Sequence, residues 1–129
     1  MEAEAKHFDA EKIPLDSLPF EAICHVGRII RFGEKKYGRN NWTKGMPWNK
    51  LLGSTLRHIF AWASGEDKDK ESGESHLAHA CTDLLFLITY QLEGLGEDNR
   101  RKVNAETVGD ECQPQLAVTA PIVLLKDTL

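Results

Sequence analysis

Ser75-His-Leu-Ala-His-Ala-Cys-Thr-Asp-Leu-Leu-Phe-Leu-Ile-Thr-Tyr-Gln-Leu92 places Leu77, Cys81, Leu84, Ile88 and Leu92 three or four residues apart. That is the period of an amphipathic α-helix, and these five are its expected buried line. The same spacing puts His76, His79 and Asp83 at i, i+3 and i+7, on one face of the helix. Gly94 and Gly96 end the run.

A second helix is expected upstream, opening at Pro47, which is tolerated at the first helical position. Its core stripe reads Leu52, Leu56, Ile59 and Ala63, with Leu51, Thr55, His58 and Trp62 on the adjacent face, and Gly65 stops it. Further upstream, Phe20, Ile23, Cys24, Gly27 and Ile30 predict a first helix over 20–32. Glu21 lies at its start, and the Gly33–Gly38 stretch is expected to be the helix end and a loop. No stretch alternates as a strand does, so the expected class is all-α: a helical bundle. Residues 1–19, with Pro14 and Pro19, read as an extended N-terminal arm, 20–96 as the helical domain, and 97–129 as a linker and apolar C-terminal tail. The tail segment Leu116–Leu125 is apolar and short. Three helices make a modest core, so completion by a second copy of the chain, a homo-oligomer, is expected.

The chain has 129 residues, 41% hydrophobic and 28% charged, with a net charge of -4, which is ordinary composition for a globular domain. No apolar stretch reaches the roughly 20 residues a membrane span needs. The acidic start Met1-Glu-Ala-Glu-Ala lacks the apolar core of a signal peptide. Three widely spaced cysteines, Cys24, Cys81 and Cys112, do not resemble a secreted disulfide framework. A cytoplasmic protein is the expectation. Charge is unevenly spread: residues 28–57 hold eight bases against Glu34 alone, a run of +7, and 66–74 hold five acids against two lysines. Such a sequence suits a polyanion on one side and a metal ion on the other, or two solvated faces of opposite bias.

Imidazole and carboxylate are the usual ligands of divalent ions, so the face His76, His79, Asp83 is a candidate metal site. Asp67 and Glu71, with Glu66, lie just before it and offer oxygens that favour Mg²⁺ or Mn²⁺ serving a phosphate substrate. Hydrogen-bonded core or surface histidines are the plainer alternative. Lys35-Lys36-Tyr37-Gly38 and Asn40-Asn41-Trp42 combine charge, amide and aromatic groups in a way that suits a nucleotide, with lysine on phosphate, Asn41 on a base edge and Tyr37 or Trp42 stacked on the ring. A loop anchored by its aromatic residues would read the same. Arg57 is expected to face an acid or a phosphate, since a buried arginine is costly unpaired. His58 is a ligand, a general base or a packed core residue.

The ordered succession Gly33-Glu-Lys-Lys-Tyr-Gly-Arg-Asn-Asn-Trp-Thr-Lys-Gly-Met-Pro-Trp48, Leu56-Arg-His-Ile59, Gly65-Glu-Asp67 and Glu71-Ser-Gly-Glu-Ser-His-Leu-Ala-His-Ala80 resembles the phage-associated dATP/dGTP diphosphohydrolases, a MazZ-type, MazG-like group. The resemblance covers residues 11–93. It implies an all-α nucleoside triphosphate pyrophosphohydrolase that yields a monophosphate and pyrophosphate with Mg²⁺ or Mn²⁺, working as a dimer or tetramer. The paired Glu-Glu-x-x-Glu and Glu-x-x-Asp of MazG-like chains is missing, with Glu21 and Glu34 on the first helix and His79 and Asp83 on the third.

The resulting assignment has Glu21, Asp67, Glu71, His76, His79 and Asp83 at the metal, with Asp83, Glu71 and His58 catalytic. Lys36, Lys44 and Arg57 take the phosphates, and Tyr37, Asn41 and Trp42 take a purine deoxynucleotide. The alternative is a non-catalytic nucleotide-binding protein that sequesters a nucleotide or a cyclic nucleotide signal. Nucleic acid is a weaker partner, because the basic run is broken by Gly, Asn and Trp.

Overall fold

The computed structural model describes residues 3–6, 8 and 10–102. Among them are three α-helices and no strand: α1 (Phe20–Tyr37), α2 (Trp48–Ala63) and α3 (His76–Glu93). The all-α expectation is met. Short 3₁₀ turns occupy Leu15–Ser17 in the arm and Asn41–Lys44 between α1 and α2. No described helix is long and apolar enough to cross a membrane.

The third helix starts where its serine can cap it, with the Ser75 side chain accepting from the Leu77 and Ala78 N–H groups. Such a cap satisfies donors that the first turn leaves unpaired. Helix α1 runs one turn and more beyond its expected end. Gly33 is absorbed within it, and the helix stops at Gly38, whose φ is 93° and whose N–H donates to the Glu34 carbonyl. Lys35 and Lys36 therefore sit in the last helical turn rather than in a loop, where their charge opposes the negative end of the helix dipole.

Helix α3 is central and packs against both α1 and α2. The faces it buries differ from those expected. Its inward residues are His76, Ala78, Ala80, Thr82 and Tyr90, while Leu77, Leu84 and Ile88 are 45%, 45% and 49% exposed and Cys81 is also exposed. On α2 the buried residues are Leu51 and Thr55, from the face expected to flank the core, and Leu52 and Leu56 point outward. On α1 they are Val26 and Ile29, with Phe20 and Ile23 exposed. Alanine and threonine let two helix backbones approach closely. The buried hydroxyls are satisfied within their own helices, Thr55 Oγ1 donating to the Leu51 carbonyl and Thr82 Oγ1 to that of Ala78, both at 2.8 Å. The bulky apolar stripes are thus left on the outside of a single chain.

Two close approaches fix the α2 start. Leu95 and Glu97 accept from the Trp48 indole and backbone N–H groups, both at 2.9 Å. Asn49 donates two hydrogen bonds to Asn99, from its backbone N–H to Oδ1 and from Nδ2 to the carbonyl, and the Arg100 guanidinium lies 5.1 Å from the Trp48 ring centroid. The first residues of the expected linker are thereby docked on α2. Residues 103–129, including the apolar Leu116–Leu125, lie outside the described residues.

Candidate functional site

The loop between α2 and α3 is short of apolar residues but rich in internal bonds. Asp69 N–H donates to the Glu74 carbonyl and Gly73 N–H to that of Asp69, both at 2.8 Å. His76 N–H donates to the Asp67 carbonyl. The Asp69 Oδ2 accepts from Ser72 N–H at 2.9 Å and Ser72 Oγ at 3.0 Å. An aspartate bonding to backbone a few residues on is a common turn former, and here it holds the carboxylate toward the start of α3.

Across from it stand three imidazoles. His76 is 4% exposed. Its Nδ1 lies 2.9 Å from His58 Nδ1 on α2, and its Nε2 lies 3.1 Å from Glu66 Oε1. His58 and His79 stack, with centroids 4.4 Å apart and planes 9° off parallel. His79 Nε2 is 2.6 Å from Ser72 Oγ and 3.9 Å from Asp69 Oδ2. His58, Asp69 and His76 each bring one donor atom to within 4.8 Å of the others. Burial, joined by the neighbouring His79, holds His58 below the usual imidazole range, and burial does the same to His79. Burial works to raise Asp69, but its two Ser72 bonds and the nearby His79 and His58 outweigh that and hold it low. Burial thus favours the neutral form of His58 and His79 beside a carboxylate held ionised, and metal ligation uses neutral imidazole and ionised carboxylate.

Not every expected site residue joins this cluster. Glu21 is exposed in the first turn of α1. Asp67 is exposed and contributes its backbone carbonyl. Glu71 turns outward to an ion pair with Lys36, which places the basic end of α1 beside the loop. Lys36 is raised above its ordinary range, first by that hydrogen bond and then by the Glu71 charge. Tyr37 is 62% exposed beneath Lys36, with the ammonium 5.5 Å from its centroid. Trp42 turns inward and stacks on Phe86 at 4.2 Å, which occupies a ring face that base stacking would use. Asn41 is half-buried and Lys44 exposed on the same short turn. Arg57 is exposed rather than buried, because its long side chain lies back along α2 toward Gly53.

Asp83 is one helical turn beyond His79 and faces Ser54 and Arg57 instead of the imidazoles. Its Oδ2 is buried with no hydrogen-bond partner. Burial pushes its carboxyl up to about 6, against the Ser54 hydrogen bond and the Arg57 charge. Because the folded pKa is raised, folding favours the protonated acid, and stability falls as pH rises from about 4 through 6. Asp83→Asn is therefore expected to flatten that slope and to gain about 1–2 kcal/mol at pH 7, allowing for partial solvent access. Urea melts of both proteins at pH 4.5 and 7.5 check this, and a parent chain equally stable at both would contradict it.

Asp69 and Ser72 were not among the expected site residues. Their signal was local: an aspartate three positions before a serine inside an acidic connection. Glu66 was weighed as a ligand, and the structure places it behind His76.

The class is thus an all-α domain carrying a histidine–carboxylate cluster beside a basic helix end. The family model described as dATP/dGTP diphosphohydrolase, N-terminal, matches residues 2–100, and the chain belongs to that family. It is 35% identical over 94 residues to a dATP/dGTP diphosphohydrolase of Salmonella phage PMBT28, covering 73% of this chain and 32% of that protein. The chain spans about one third of the length of that curated relative. No solved structure matches it.

Proposed function

We propose that this chain serves the hydrolysis of dATP or dGTP to the monophosphate and pyrophosphate, assisted by a divalent ion such as Mg²⁺ or Mn²⁺. Membership of the family and the name of the phage relative support the substrate class. The observation that carries the reading is the His58–Asp69–His76 cluster, whose Asp69 lies on the same loop as Glu71, which holds Lys36. His58, His76 and Asp69 have the donor chemistry to hold a divalent ion. When bound, the ion supplies positive charge against the triphosphate as pyrophosphate leaves. Lys36, Lys44 and Arg57, exposed and on the run of +7 between residues 28 and 57, bind phosphate oxygens. Exposed Tyr37 offers a ring face to the purine. His79, neutral through burial, accepts a proton from the water that adds at the α-phosphorus. A cytoplasmic setting, the host's where a phage encodes the chain, goes with these substrates.

The test is incubation of the purified chain with each deoxynucleoside triphosphate and Mg²⁺ or Mn²⁺, with products separated by ion exchange. Monophosphate and pyrophosphate from dATP or dGTP are expected, with Asp69→Asn reducing the rate about 10–100-fold. Intact nucleotide under every condition overturns the reading.

A second reading has one observation in its favour: Glu21, Asp67 and Glu71 do not converge with Asp69, leaving few carboxylates for hydrolysis. A nucleotide-binding module then remains, and it predicts metal-independent binding with the ligand recovered intact.

The homo-oligomer belongs to the same proposal. An apolar cleft of about 620 Å³ lies between α1 and α3, lined by Leu18, Ile23, Val26, Leu77 and Leu85 among others, and a second copy covers it. A single-chain mass by light scattering would contradict this.

A further inference from the structure

We infer that His58, His76 and Asp69 form a site for a nitrogen-seeking first-row transition ion, such as Co²⁺, Zn²⁺ or Fe²⁺, held in preference to Mg²⁺. The inference deepens the hydrolase reading by naming the ion class and its ligands, and it rests on that reading only for the ion's purpose.

A carboxylate accepts hydrogen bonds and donates none, so His76 Nε2, 3.1 Å from Glu66 Oε1, carries its ring proton. In that tautomer the Nδ1 of His76 is a bare lone pair, and it faces His58 Nδ1 at 2.9 Å. Two such nitrogens need something between them. Without an ion it is the proton of His58, donated from Nδ1. When His58 shifts its proton to Nε2, both lone pairs face a single point, and a cation takes the proton's place. The exchange of tautomer leaves the net charge of the pair unchanged.

Two imidazole nitrogens each about 2.05 Å from one ion and at right angles are about 2.9 Å apart, which matches the spacing present between the two rings. The Asp69 donor lies within 4.8 Å of both, so it stands beside the point that the two rings share. Its Oδ2 is held by Ser72 through two hydrogen bonds, which sets the direction of the other oxygen.

A ligating histidine whose other nitrogen is held by a carboxylate is the usual outer arrangement of a protein metal site, and Glu66 supplies it for a His76 that is 4% exposed. Donor type then selects the ion. Two imidazoles and one carboxylate suit first-row transition ions, whereas Mg²⁺ favours oxygen ligands and keeps its waters. Three protein ligands leave positions free for water or a phosphate oxygen.

The test uses the untagged, metal-stripped full chain without nucleotide. Co²⁺ is titrated by visible absorption and calorimetry, and Zn²⁺ and Mg²⁺ by calorimetry. One Co²⁺ or Zn²⁺ per chain is expected, at least about 100-fold tighter than Mg²⁺. Asp69→Asn and His58→Gln, which keep side-chain size, are expected to weaken Co²⁺ by 10-fold or more; Cys24→Ser, which loses an exposed thiol on α1, is expected to bind as the parent does. Circular dichroism confirms that each variant is folded. Imidazole nitrogen chemical shifts of the parent, read with and without Zn²⁺, are expected to move for His58 and His76. Absence of saturable Co²⁺ and Zn²⁺ binding, equal affinity for Mg²⁺, undiminished binding in both folded variants, or unmoved His58 and His76 shifts would each overturn the inference. Ion binding without cleavage of any nucleotide would leave it standing and remove the hydrolase reading; cleavage with Mg²⁺ and no Co²⁺ or Zn²⁺ binding would do the reverse.

Discussion

Tyr90→Ala is expected to lower folding stability by about 3–5 kcal/mol, the range for deleting a large buried aromatic side chain. Tyr90 is 0% exposed. Its ring lies beside Trp42, with centroids 6.3 Å apart, and Trp42 in turn stacks on Phe86. Its hydroxyl donates to the Trp42 carbonyl, fastening the turn between α1 and α2 to the middle helix. Burial raises the phenol above its usual range, so it remains a donor throughout neutral pH. Tyr90→Phe keeps the ring but removes one of the two bonds to that carbonyl, which still accepts from Gly45 N–H, and about 0.5–1.5 kcal/mol is expected to go. Urea unfolding should show both variants with lower midpoints and an unchanged slope. A Tyr90→Phe protein as stable as the parent would mean that the hydroxyl bond does not contribute. Since a domain of this size has about 5–15 kcal/mol in all, the alanine variant should be partly unfolded near its working temperature.

Gly96→Ala is the second large effect, expected at about 3–5 kcal/mol. Gly96 has a φ of +71°, and an added Cβ would stand 2.3 Å from the Met46 carbonyl oxygen and 3.1 Å from Met46 N. Left-handed backbone alone costs a residue with a Cβ about 1–2 kcal/mol. The clash is with backbone, so relief requires the 95–97 strap to move off α2. That movement breaks the bonds from Trp48 to Leu95 and Glu97, worth about 1 kcal/mol each. Gly45→Ala meets the same obstacle from the other side, 2.6 Å from Gly96 N. Gly65→Ala separates the two causes, because Gly65 has a φ of +96° but nothing within 4 Å of an added Cβ. Only the backbone cost, about 1–2 kcal/mol, is expected there. Equal losses at Gly65 and Gly96 in thermal melts would show that the close approach contributes nothing.

The histidine–carboxylate cluster was partly legible from helical spacing. His76 and His79 were legible because a helix converts i, i+3 into one face, and both reach the cluster. Asp83 shares that face by the same rule, yet lies one turn further along α3 and meets Ser54 and Arg57 on α2 instead. Asp69 was hidden because its position depends on a loop closed by hydrogen bonds to Ser72 and Glu74, and loop geometry has no period to read. His58 lies 18 positions before His76, and only the packing of α2 on α3 makes the two neighbours.

The residue sequence by itself determined the class, the three helices and their order, because apolar periodicity, Pro47, Ser75 and the glycines act locally. It also determined which family the chain belongs to, through its run of motifs. Only the tertiary structure decided which face of each helix is buried. Periodicity marks an apolar stripe but not its partner, and here close contact through Ala78, Ala80, Thr55 and Thr82 outweighs the bulkier stripes, leaving Leu77, Leu84 and Ile88 outside. The tertiary structure alone likewise decided which carboxylate meets the histidines, since that depends on the loop that joins α2 to α3 and on no single helix.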